Sequence, residues 1–515
     1  MTRIKGWRSA APERMYSTWL RSIFGHMTAG SDRSVLLIGG SGVFGSRLAE
    51  ALVRDGVATV TIAGRSRAAL DRVAGRLGCD AVVLDVTGDD LSGRLRELSP
   101  WLVIDAAGPF QAYSGDEPYR LARAALSVGA HYFDLSDDAA FTAGIGVLDD
   151  AAKEAGLAVI SGVSSVPALS SAAVREMSDD IERIDLIESM ILPGNRAPRG
   201  RSVMAAILSQ AGQPLPGTPE HGWVGSEKVR IETGDGPCLT RLASPIGAPD
   251  LVLMPERFGA REVRFRAGLE LAIMHRGLEL VAGAVRIGLI RSALPLLRVL
   301  HPAARLFERL GTDVGAMRVT LRGVTRSGKV VERVWTLTAA AGDGPHVPAI
   351  PGRVLVNRLS QGETPPGARA CLDDVSLAEC ERAAPERALT FLRRDRAFQP
   401  LFQQILGPAF GDLPAPVRGL HDVAGRRNWT GMAEVTRSEG ILAKLVAHLF
   451  GFPPAADATP VRVEMVRNAA SEVWTRDFGG HRFRSRLRAD ATRPGRMWER
   501  FGPFDFAIDL GVDGS

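Results

Sequence analysis

Cysteine and lysine are scarce in this chain of 515 residues. Its four cysteines, at positions 79, 238, 371 and 380, form no CxxC pair and have no histidine or further cysteine at zinc-ligand spacing. Neither a disulfide framework nor a metal site is therefore expected, and we interpret the cysteines as reduced, buried thiols of a cytoplasmic protein. Only five of the 63 basic residues are lysines, which we attribute to codon composition rather than to function.

Long apolar runs are also missing. The most apolar stretch, Leu269 to Leu310, is interrupted by charged residues that include Arg276, Glu279, Arg286, Arg291 and Arg298, whereas a membrane-spanning helix needs about 20 apolar residues in succession. Arg21 interrupts the only candidate for the apolar core of a signal peptide, Trp19 to Phe24. Glycine and proline, with 56 and 31 residues, follow no short period, which excludes collagen-like and low-complexity chains. The sequence therefore predicts a globular protein of about three domains, without export or a membrane span.

The net charge of +5 is unevenly distributed. Residues 1–33 contain six basic and two acidic residues, and residues 391–515 contain 18 basic and 14 acidic ones, so the part between them is net acidic. A net acidic body is not typical of a nucleic-acid-binding protein. Residues 1–33 lack a clear apolar period and are expected to form a disordered basic leader.

From Ser34 onward, short β-branched runs alternate with stretches of helical periodicity, which is typical of a parallel sheet built from βαβ units. Six runs predict six strands, the number in a full dinucleotide-binding domain: 35–38, 59–63, 81–86, 101–106, 131–135 and 157–161. The fold class is therefore α/β, with a Rossmann-type domain at 34–165. A mixed α+β second domain is predicted at 166–388, of a kind that binds substrate or forms a dimer, and a strand-rich α+β domain at 395–515.

Within the second domain, the pattern predicts a helix near Ser170 to Met177 and a strand near Ile184 to Ile191. Two further strands, 316–324 and 330–339, are joined by a hairpin at 325–329. The stretch from Leu271 to Leu300 has a broad apolar helical face, which is expected to be buried inside this domain; a membrane or a partner subunit is the alternative occupant.

Between His481 and Arg488, every second residue is an arginine. A strand here would therefore carry four arginines on one face, at positions 482, 484, 486 and 488. A solvated sheet face is the favoured interpretation, and a site for phosphate or an anionic membrane surface is the alternative.

The sharpest motif is GxGxxG, formed by Gly40, Gly42 and Gly45 directly after a predicted strand and at the start of a predicted helix. We expect Gly40 to make the tight turn, Gly42 to let the backbone approach a pyrophosphate, and Gly45 to allow close packing of the helix on the strand. The pyrophosphate would then lie at the helix N-terminus.

The second predicted strand ends in Ala63-Gly-Arg-Ser66, without the carboxylate that an NAD site uses to bind the ribose. Arg65 and Ser66 instead offer a guanidinium and a hydroxyl to a 2′-phosphate, which favours NADP over NAD. The alternative is that Arg65 is only solvated and Ser66 only caps the next helix. Asp85 and Val86 are expected near the adenine, although Asp85 is equally suited to a turn.

Further candidates follow the later strands. The small residues of Asp105-Ala-Ala-Gly-Pro-Phe110 would let a nicotinamide ribose lie against the backbone. Asp134, Ser136 and Tyr113 are candidates for the active region, whereas His131 begins its strand and is expected to be structural. The chain contains no HExxH, GxSxG or Walker motif, so a hydrolase or a kinase is not indicated.

These motifs resemble the saccharopine-dehydrogenase-like NADP-binding family. Five segments of the predicted nucleotide-binding domain carry the resemblance: 39–45, 63–66, 106–110, 129–136 and 161–167. A sixth segment, Gly362 to Arg369, lies in the second domain and resembles the closing segment of the family's bacterial oxidoreductase-like members. Position by position it implies cofactor contacts at the following residues: Gly40, Ser41, Gly42, Val43, Phe44, Gly45, Arg65, Ser66, Asp85, Val86, Ala107, Gly108, Pro109 and Phe110. Residues from Phe398 to Ser515 resemble a domain of unknown function that is fused behind such oxidoreductases; the family continues further, so a shortened domain is expected.

Two functions follow from this interpretation. The first is an NADP-dependent oxidoreductase that transfers hydride to or from a small carbonyl, imine or lipid-like substrate. Its catalytic acid or base is not identified; Tyr113 or a carboxylate is left as the candidate. The second is a non-catalytic NAD(P)-binding protein whose C-terminal domain binds a lipid, a membrane or a partner. The sequence is compatible with a homodimer and with a peripheral membrane contact, and the membrane contact is not favoured.

Overall fold

The computed structural model describes residues 33–113, 117–198, 200–234, 236–307, 309–384, 387–437, 440, 447, 451–468 and 470–512. The predicted leader at 1–33 lies outside these residues except for its last position. Twenty strands are numbered in chain order: β1 Ser34–Ile38, β2 Thr59–Gly64, β3 Asp80–Val83, β4 Leu102–Asp105, β5 His131–Asp134, β6 Ala158–Ser161, β7 Ile181–Leu192, β8 Glu227–Thr233, β9 Gly236–Pro245, β10 Val263–Ala267, β11 Gly315–Thr325, β12 Val330–Ala339, β13 Gly367–Ala370, β14 Leu389–Ala397, β15 Arg426–Val435, β16 Ala456–Arg467, β17 Glu472–Phe478, β18 His481–Ala489, β19 Arg496–Phe501 and β20 Phe504–Asp509.

Helices connect and cover these strands: α1 Val43–Asp55, α2 Arg67–Leu77, α3 Leu91–Leu98, α4 Arg120–Ser127, α5 Ala139–Gly144, α6 Asp149–Glu154, α7 Ser170–Met177, α8 Arg201–Gln210, α9 Asp250–Phe258, α10 Ala272–Arg286, α11 Leu297–Phe307, α12 Ile350–Ser360, α13 Leu377–Arg382, α14 Leu401–Leu406 and α15 Ala415–His421. None of the helices in the described part of the chain combines the length and the apolar character needed to cross a bilayer.

The first sheet is parallel and has the strand order β13-β6-β5-β4-β1-β2-β3. β4 and β6 are buried along their whole length, as expected for strands covered by helices on both faces. From β1 the sheet grows to one side through β2 and β3 and to the other side through β4, β5 and β6, so the strand order reverses between β1 and β4. Such a reversal opens a crevice at the carboxyl ends of the strands. The predicted Rossmann-type α/β fold is thus confirmed.

The sequence indicated six strands for this sheet, but the sheet has seven. β13 pairs with β6 in parallel, with Gly367 opposite Ala158, although the two strands are about two hundred residues apart in sequence. A second difference concerns β3, which ends at Val83 and not at Val86. Asp85 and Val86 therefore lie in the loop that follows the strand, where Asp85 binds Thr87.

The second sheet is mixed, in the order β14-β12-β11-β7-β10-β9-β8. It contains the predicted hairpin, in which the Thr325 N–H donates to the Lys329 carbonyl at 2.9 Å and Gly328 has a φ of 79°. The predicted helix at 170–177 is also present as α7. A continuous apolar core joins this sheet to the first one, from Val35 and Leu48 to Trp335.

The third sheet is an antiparallel meander, β15-β16-β17-β18-β19-β20. Its core is small and is formed with α14 by Leu401, Phe402, Ile405, Leu487 and Met497. The alternation predicted for β18 is confirmed: all four arginines, 482, 484, 486 and 488, are exposed, and Ser485 and Leu487 between them are buried.

Candidate nucleotide-binding site

The turn between β1 and α1 brings backbone segments so close together that three glycines have no room for a side chain. A Cβ on Gly39 would lie 2.7 Å from the Ala106 carbonyl, and one on Gly40 would lie 2.6 Å from the Ile62 side chain. A Cβ on Gly45 would lie 2.4 Å from the Gly39 oxygen, which agrees with the predicted close packing of helix and strand.

The left-handed residue of this turn is Gly39, with a φ of 73°, and not Gly40 as the motif suggested. The reason is that β1 ends at Ile38, so the turn begins at Gly39, one residue before the first glycine of the motif. Gly39 also packs closely against Ala106 and Ala107, where the chain leaves β4.

Helix α1 begins at this turn without a side-chain cap. Its N-cap is the exposed Gly42, which has no side chain to accept a hydrogen bond from the first N–H groups of the helix. The first turn of the helix contains no acidic residue. Ser41, Val43 and Phe44 lie around this N-terminus. Because the first N–H groups of a helix have no partner within the helix, the N-terminus of α1 is suited to bind an anion such as a pyrophosphate.

Arg65 and Ser66 follow β2 at the same edge of the sheet. The Ser66 hydroxyl oxygen accepts a hydrogen bond from the Ala69 N–H at 3.4 Å, so it caps α2, as the alternative interpretation stated. Arg65 is exposed and forms no ion pair or hydrogen bond with the described residues. Its guanidinium is therefore available to a phosphate.

Beyond β3, the exposed Asp85 carboxylate accepts hydrogen bonds from the Thr87 N–H and hydroxyl, at 3.0 and 2.8 Å. These bonds hold the pKa of Asp85 below its ordinary value. Val86 packs against the apolar cluster on one face of the first sheet. A small cavity of about 150 Å³ lies next to this loop and is lined by Val83, Leu84, Asp85, Gly88, Asp90, Leu91 and Arg94.

The segment from Ala107 to Phe110 leaves the carboxyl end of β4. The Ala107 N–H donates to the Asp105 carboxyl at 2.9 Å, which fixes the start of the segment. Gly108 and Pro109 then lead to Phe110, which is buried, with its ring centroid 5.2 Å from that of Tyr113 and 5.3 Å from that of Phe141. The Phe110 ring therefore belongs to the core.

Two buried carboxyl groups lie side by side where β4 and β5 end. Asp105 and Asp134 are opposite each other in the register of the two strands, and both are fully buried. Oδ1 of Asp134 accepts hydrogen bonds from the Ser136 N–H, the Ser161 hydroxyl and the Gly162 N–H, at 3.0, 2.9 and 2.8 Å. Oδ2 of each carboxyl is buried without a hydrogen-bond partner among the described residues.

Burial is the main influence on both carboxyls. It raises the pKa of Asp134 to about 7, although three hydrogen bonds to Oδ1 act in the opposite direction. It raises the pKa of Asp105 to about 6, against the effect of the Ala107 N–H and of the nearby Tyr113 hydroxyl. Burial, together with the charge of Asp105, also raises the pKa of Tyr113, so this phenol keeps its proton.

Asp134, Ser136 and Tyr113, the candidates for the active region, lie at one edge of the sheet. Asp105 was not among these candidates, although two predicted strands that both contain aspartate near their carboxyl ends were a readable signal. His131 is structural, as expected: its Nδ1 accepts a hydrogen bond from the Ala158 N–H at 3.0 Å, at the opposite end of β5.

The second-sheet region also reaches the crevice. A Cβ on Gly200, directly before α8, would lie 3.5 Å from Cγ2 of Val43 at the start of α1. Helix α8 itself contacts the short turn Phe110–Ala112. Gly200 and α8, which lie outside residues 34–165, therefore contact the start of α1 and the turn that follows β4.

Comparison with protein families identifies two parts of the chain. Residues 35–160 match the saccharopine dehydrogenase NADP binding domain, and residues 413–515 match a domain of unknown function, DUF4166. The resemblance inferred from the motifs is confirmed for both parts, and the expected cofactor, NADP, is confirmed by the first match. No curated protein matches the chain.

Among solved structures, the chain is similar to saccharopine dehydrogenase (L-Glu forming) from Saccharomyces cerevisiae, with 14% identity and a TM-score of 0.49 over 71% of this chain and 100% of that one. Biliverdin reductase from Synechocystis, in complex with biliverdin and NADP+, shares 14% identity, with a TM-score of 0.32 over 68% of this chain and 95% of that one. The WlbA dehydrogenase from Thermus thermophilus, in complex with NAD and alpha-ketoglutarate, shares 13% identity, with a TM-score of 0.32 over 68% and 93%.

Proposed function

We propose that this protein is an NADP(H)-dependent oxidoreductase whose substrate is a small carbonyl or imine compound. The observation that carries the proposal is the N-terminus of α1, which has no side-chain cap and follows a turn with no room for side chains at Gly39, Gly40 and Gly45. The exposed Arg65 at the end of the neighbouring strand forms no ion pair within the part of the chain that the structure describes. The N-terminus of α1 is suited to bind a pyrophosphate, and the Arg65 guanidinium is suited to bind a 2′-phosphate.

Each part of the cofactor has a group of this chain to bind it. The N–H groups at the start of α1 would hold the pyrophosphate, and the Arg65 guanidinium would hold the 2′-phosphate, with the Ser66 O–H free to donate while its oxygen caps α2. The loop at Asp85 and Val86 would border the adenine. The backbone from Ala107 to Phe110 would lie against the nicotinamide ribose.

The bound cofactor supplies or accepts the hydride, and the substrate oxygen or nitrogen must then gain or lose one proton. Tyr113 and the pair formed by Asp105 and Asp134 are the groups suited to that proton. Tyr113 keeps its hydroxyl proton, and Asp134, with its pKa raised to about 7, exchanges a proton near neutral pH. Both lie at the strand ends where open α/β sheets bind their ligands.

The nucleotide part of the proposal is tested by calorimetric titration of NADPH and NADH into the wild type, Arg65→Ala and Arg67→Ala. Arg67 is a matched control, because it is exposed two residues away and pairs with Asp71 at 2.9 Å. A hydrogen bond to a charged group contributes about 1.5–3 kcal/mol, so Arg65→Ala should weaken NADPH binding by about 10- to 150-fold. NADH binding should change little, and Arg67→Ala should keep the preference for NADPH.

Two results would contradict the assignment. If neither nucleotide binds the wild type, the glycine turn is purely structural and the oxidoreductase function must be abandoned. If NADPH is preferred equally by the wild type and by Arg65→Ala, another residue reads the 2′-phosphate. Turnover is then tested by following NADPH oxidation with carbonyl and imine substrates; the alternative, a non-catalytic NADP(H)-binding protein, predicts binding without any oxidation.

A further inference from the structure

Large apolar side chains are exposed in unusual number between Leu271 and Leu310. Of the 15 large hydrophobic residues that are exposed in the described part of the chain, seven lie in this stretch: Ile273, Leu280, Ile287, Leu289, Leu294, Val299 and Leu310. We call these seven residues the apolar patch. A concentration of exposed apolar side chains of this kind is typical of an interaction surface.

Helix α10 explains how the patch arises. Ile273 and Leu280 are seven residues apart on α10, and Ile287 follows directly after its end, so the three side chains lie along one side and are 72%, 76% and 78% exposed. The opposite side carries the residues that pack into the second-sheet region: His275, Leu278, Ala282 and Val285. The broad apolar face predicted to be buried is present in α10, but the helix also carries apolar side chains on a side that is exposed.

The charge around the patch is strongly basic. Residues 271–310 contain six arginines, at positions 276, 286, 291, 298, 305 and 309, and only two acidic residues. One of the acidic residues, Glu279, is paired with Arg276 at 2.6 Å. Arg286, Arg291 and Arg298 are exposed and form no ion pair with the described residues.

We propose that the apolar patch and its arginines dock on an anionic membrane surface. Apolar side chains flanked by basic ones are the pattern of helices that lie in the membrane interface, where the side chains enter the acyl boundary and the arginines meet lipid phosphates. A second copy of the chain fits less well. A two-fold contact brings the same surface of each copy together, so unpaired arginines would face arginines.

The patch is also close to the nucleotide-binding edge. Helix α8 contacts α11 and the turn Leu294–Leu296 of the patch region, and it contacts the turn Phe110–Ala112 beside the crevice. One helix therefore separates the docking surface from the candidate site. Membrane binding itself needs neither cofactor nor catalysis, so it can fail or succeed independently of the proposed function.

The test is flotation of the full-length protein with vesicles of phosphatidylcholine alone and of phosphatidylcholine mixed with phosphatidylglycerol. Two variants disrupt the surface: Ile273→Asn with Leu280→Asn and Ile287→Asn, and Arg286→Ala with Arg291→Ala and Arg298→Ala. All six positions are exposed, so the fold should tolerate the changes. The control replaces four other exposed arginines by alanine, at positions 482, 484, 486 and 488, on β18.

The wild type should float with the anionic vesicles and much less with the neutral ones. Each arginine near the surface contributes about fivefold, so the arginine variant should bind about 100-fold more weakly, and added salt should weaken the wild type in the same direction. The apolar variant should lose binding to both kinds of vesicle, whereas the β18 variant should bind as the wild type does. All variants should keep the circular dichroism spectrum and the urea unfolding midpoint of the wild type, which confirms that they fold.

Three results would overturn the proposal. The first is that the wild type does not float with the anionic vesicles at all. The second is that the β18 variant loses flotation while both patch variants keep it, which would place the membrane contact on the third sheet. The third is that light scattering shows a dimer that the apolar variant dissociates, with flotation unchanged, which would make the patch a contact between two copies.

Discussion

Replacing Asp134 by asparagine should change how the stability of the protein depends on pH. The Asp134 carboxyl is fully buried, and one of its oxygens accepts hydrogen bonds from Ser136, Ser161 and Gly162. Asparagine has nearly the same shape and keeps one acceptor oxygen, but it cannot ionise. The substitution therefore removes the buried charge and leaves most of the surrounding contacts in place.

The expected size follows from the pKa of the group in the two states. Burial raises the pKa of Asp134 to about 7 in the folded protein, whereas an unfolded chain has an ordinary value of about 3.9. Between these values the folded state binds more protons than the unfolded state, so stability falls as the pH rises. About three pH units at ~1.36 kcal/mol each give a total loss of ~4 kcal/mol, which is complete once the pH is above about 7.

The assay is urea unfolding of the wild type and Asp134→Asn at several pH values from about 5 to about 8. Over this range the free energy of unfolding of the wild type should fall by ~3 kcal/mol more than that of the variant. Asp85→Asn is the control, because hydrogen bonds from Thr87 lower the pKa of this exposed carboxyl. Its difference from the wild type should stay constant over the range. Parallel curves for the wild type and Asp134→Asn would refute the raised pKa of this buried carboxyl.

Two further predictions concern the glycine turn and the core that supports it. Gly45→Ala places a Cβ 2.4 Å from the Gly39 oxygen, so it should weaken NADPH binding by about tenfold or more in calorimetry. Gly75→Ala is the control, because this glycine of α2 has open space around it, and it should leave NADPH binding unchanged. Equal NADPH affinities of the two variants would contradict the close packing of the turn. Leu48→Ala, at a fully buried position of α1, should lower the free energy of unfolding in urea by about 2–5 kcal/mol. Leu280→Ala, at a 76% exposed position, should lower it by less than about 0.5 kcal/mol. Similar losses in the two variants would contradict the burial of Leu48 and the exposure of Leu280.

Much of the first sheet could be predicted because its signals are local. A strand buried on both faces must be a short apolar run, and a turn from strand to helix that receives a phosphate must contain glycine. The runs at 35–38 and 59–63 correspond to β1 and β2 within one residue, and the pattern at 170–177 corresponds to α7. The alternation of His481 to Arg488 likewise predicted which side chains of β18 are exposed.

The sequence could not reveal contacts that depend on which distant segments meet. β13 joins the first sheet from residues 367–370, because an edge strand pairs through its backbone and leaves little trace in its side chains. The pair formed by Asp105 and Asp134 depends on the register of two strands, and the raised pKa of each depends on burial by several elements.

The amino-acid sequence by itself determined the nucleotide-binding turn, the absence of a carboxylate after β2 and the alternating exposure along β18, because each follows from backbone geometry or side-chain period within a few residues. Only the tertiary structure decided that Asp105 and Asp134 are neighbours and that α10 leaves Ile273, Leu280 and Ile287 exposed. Burial is a property of all the segments that pack around a residue, so a helix with two apolar sides does not reveal in its own sequence which side is covered.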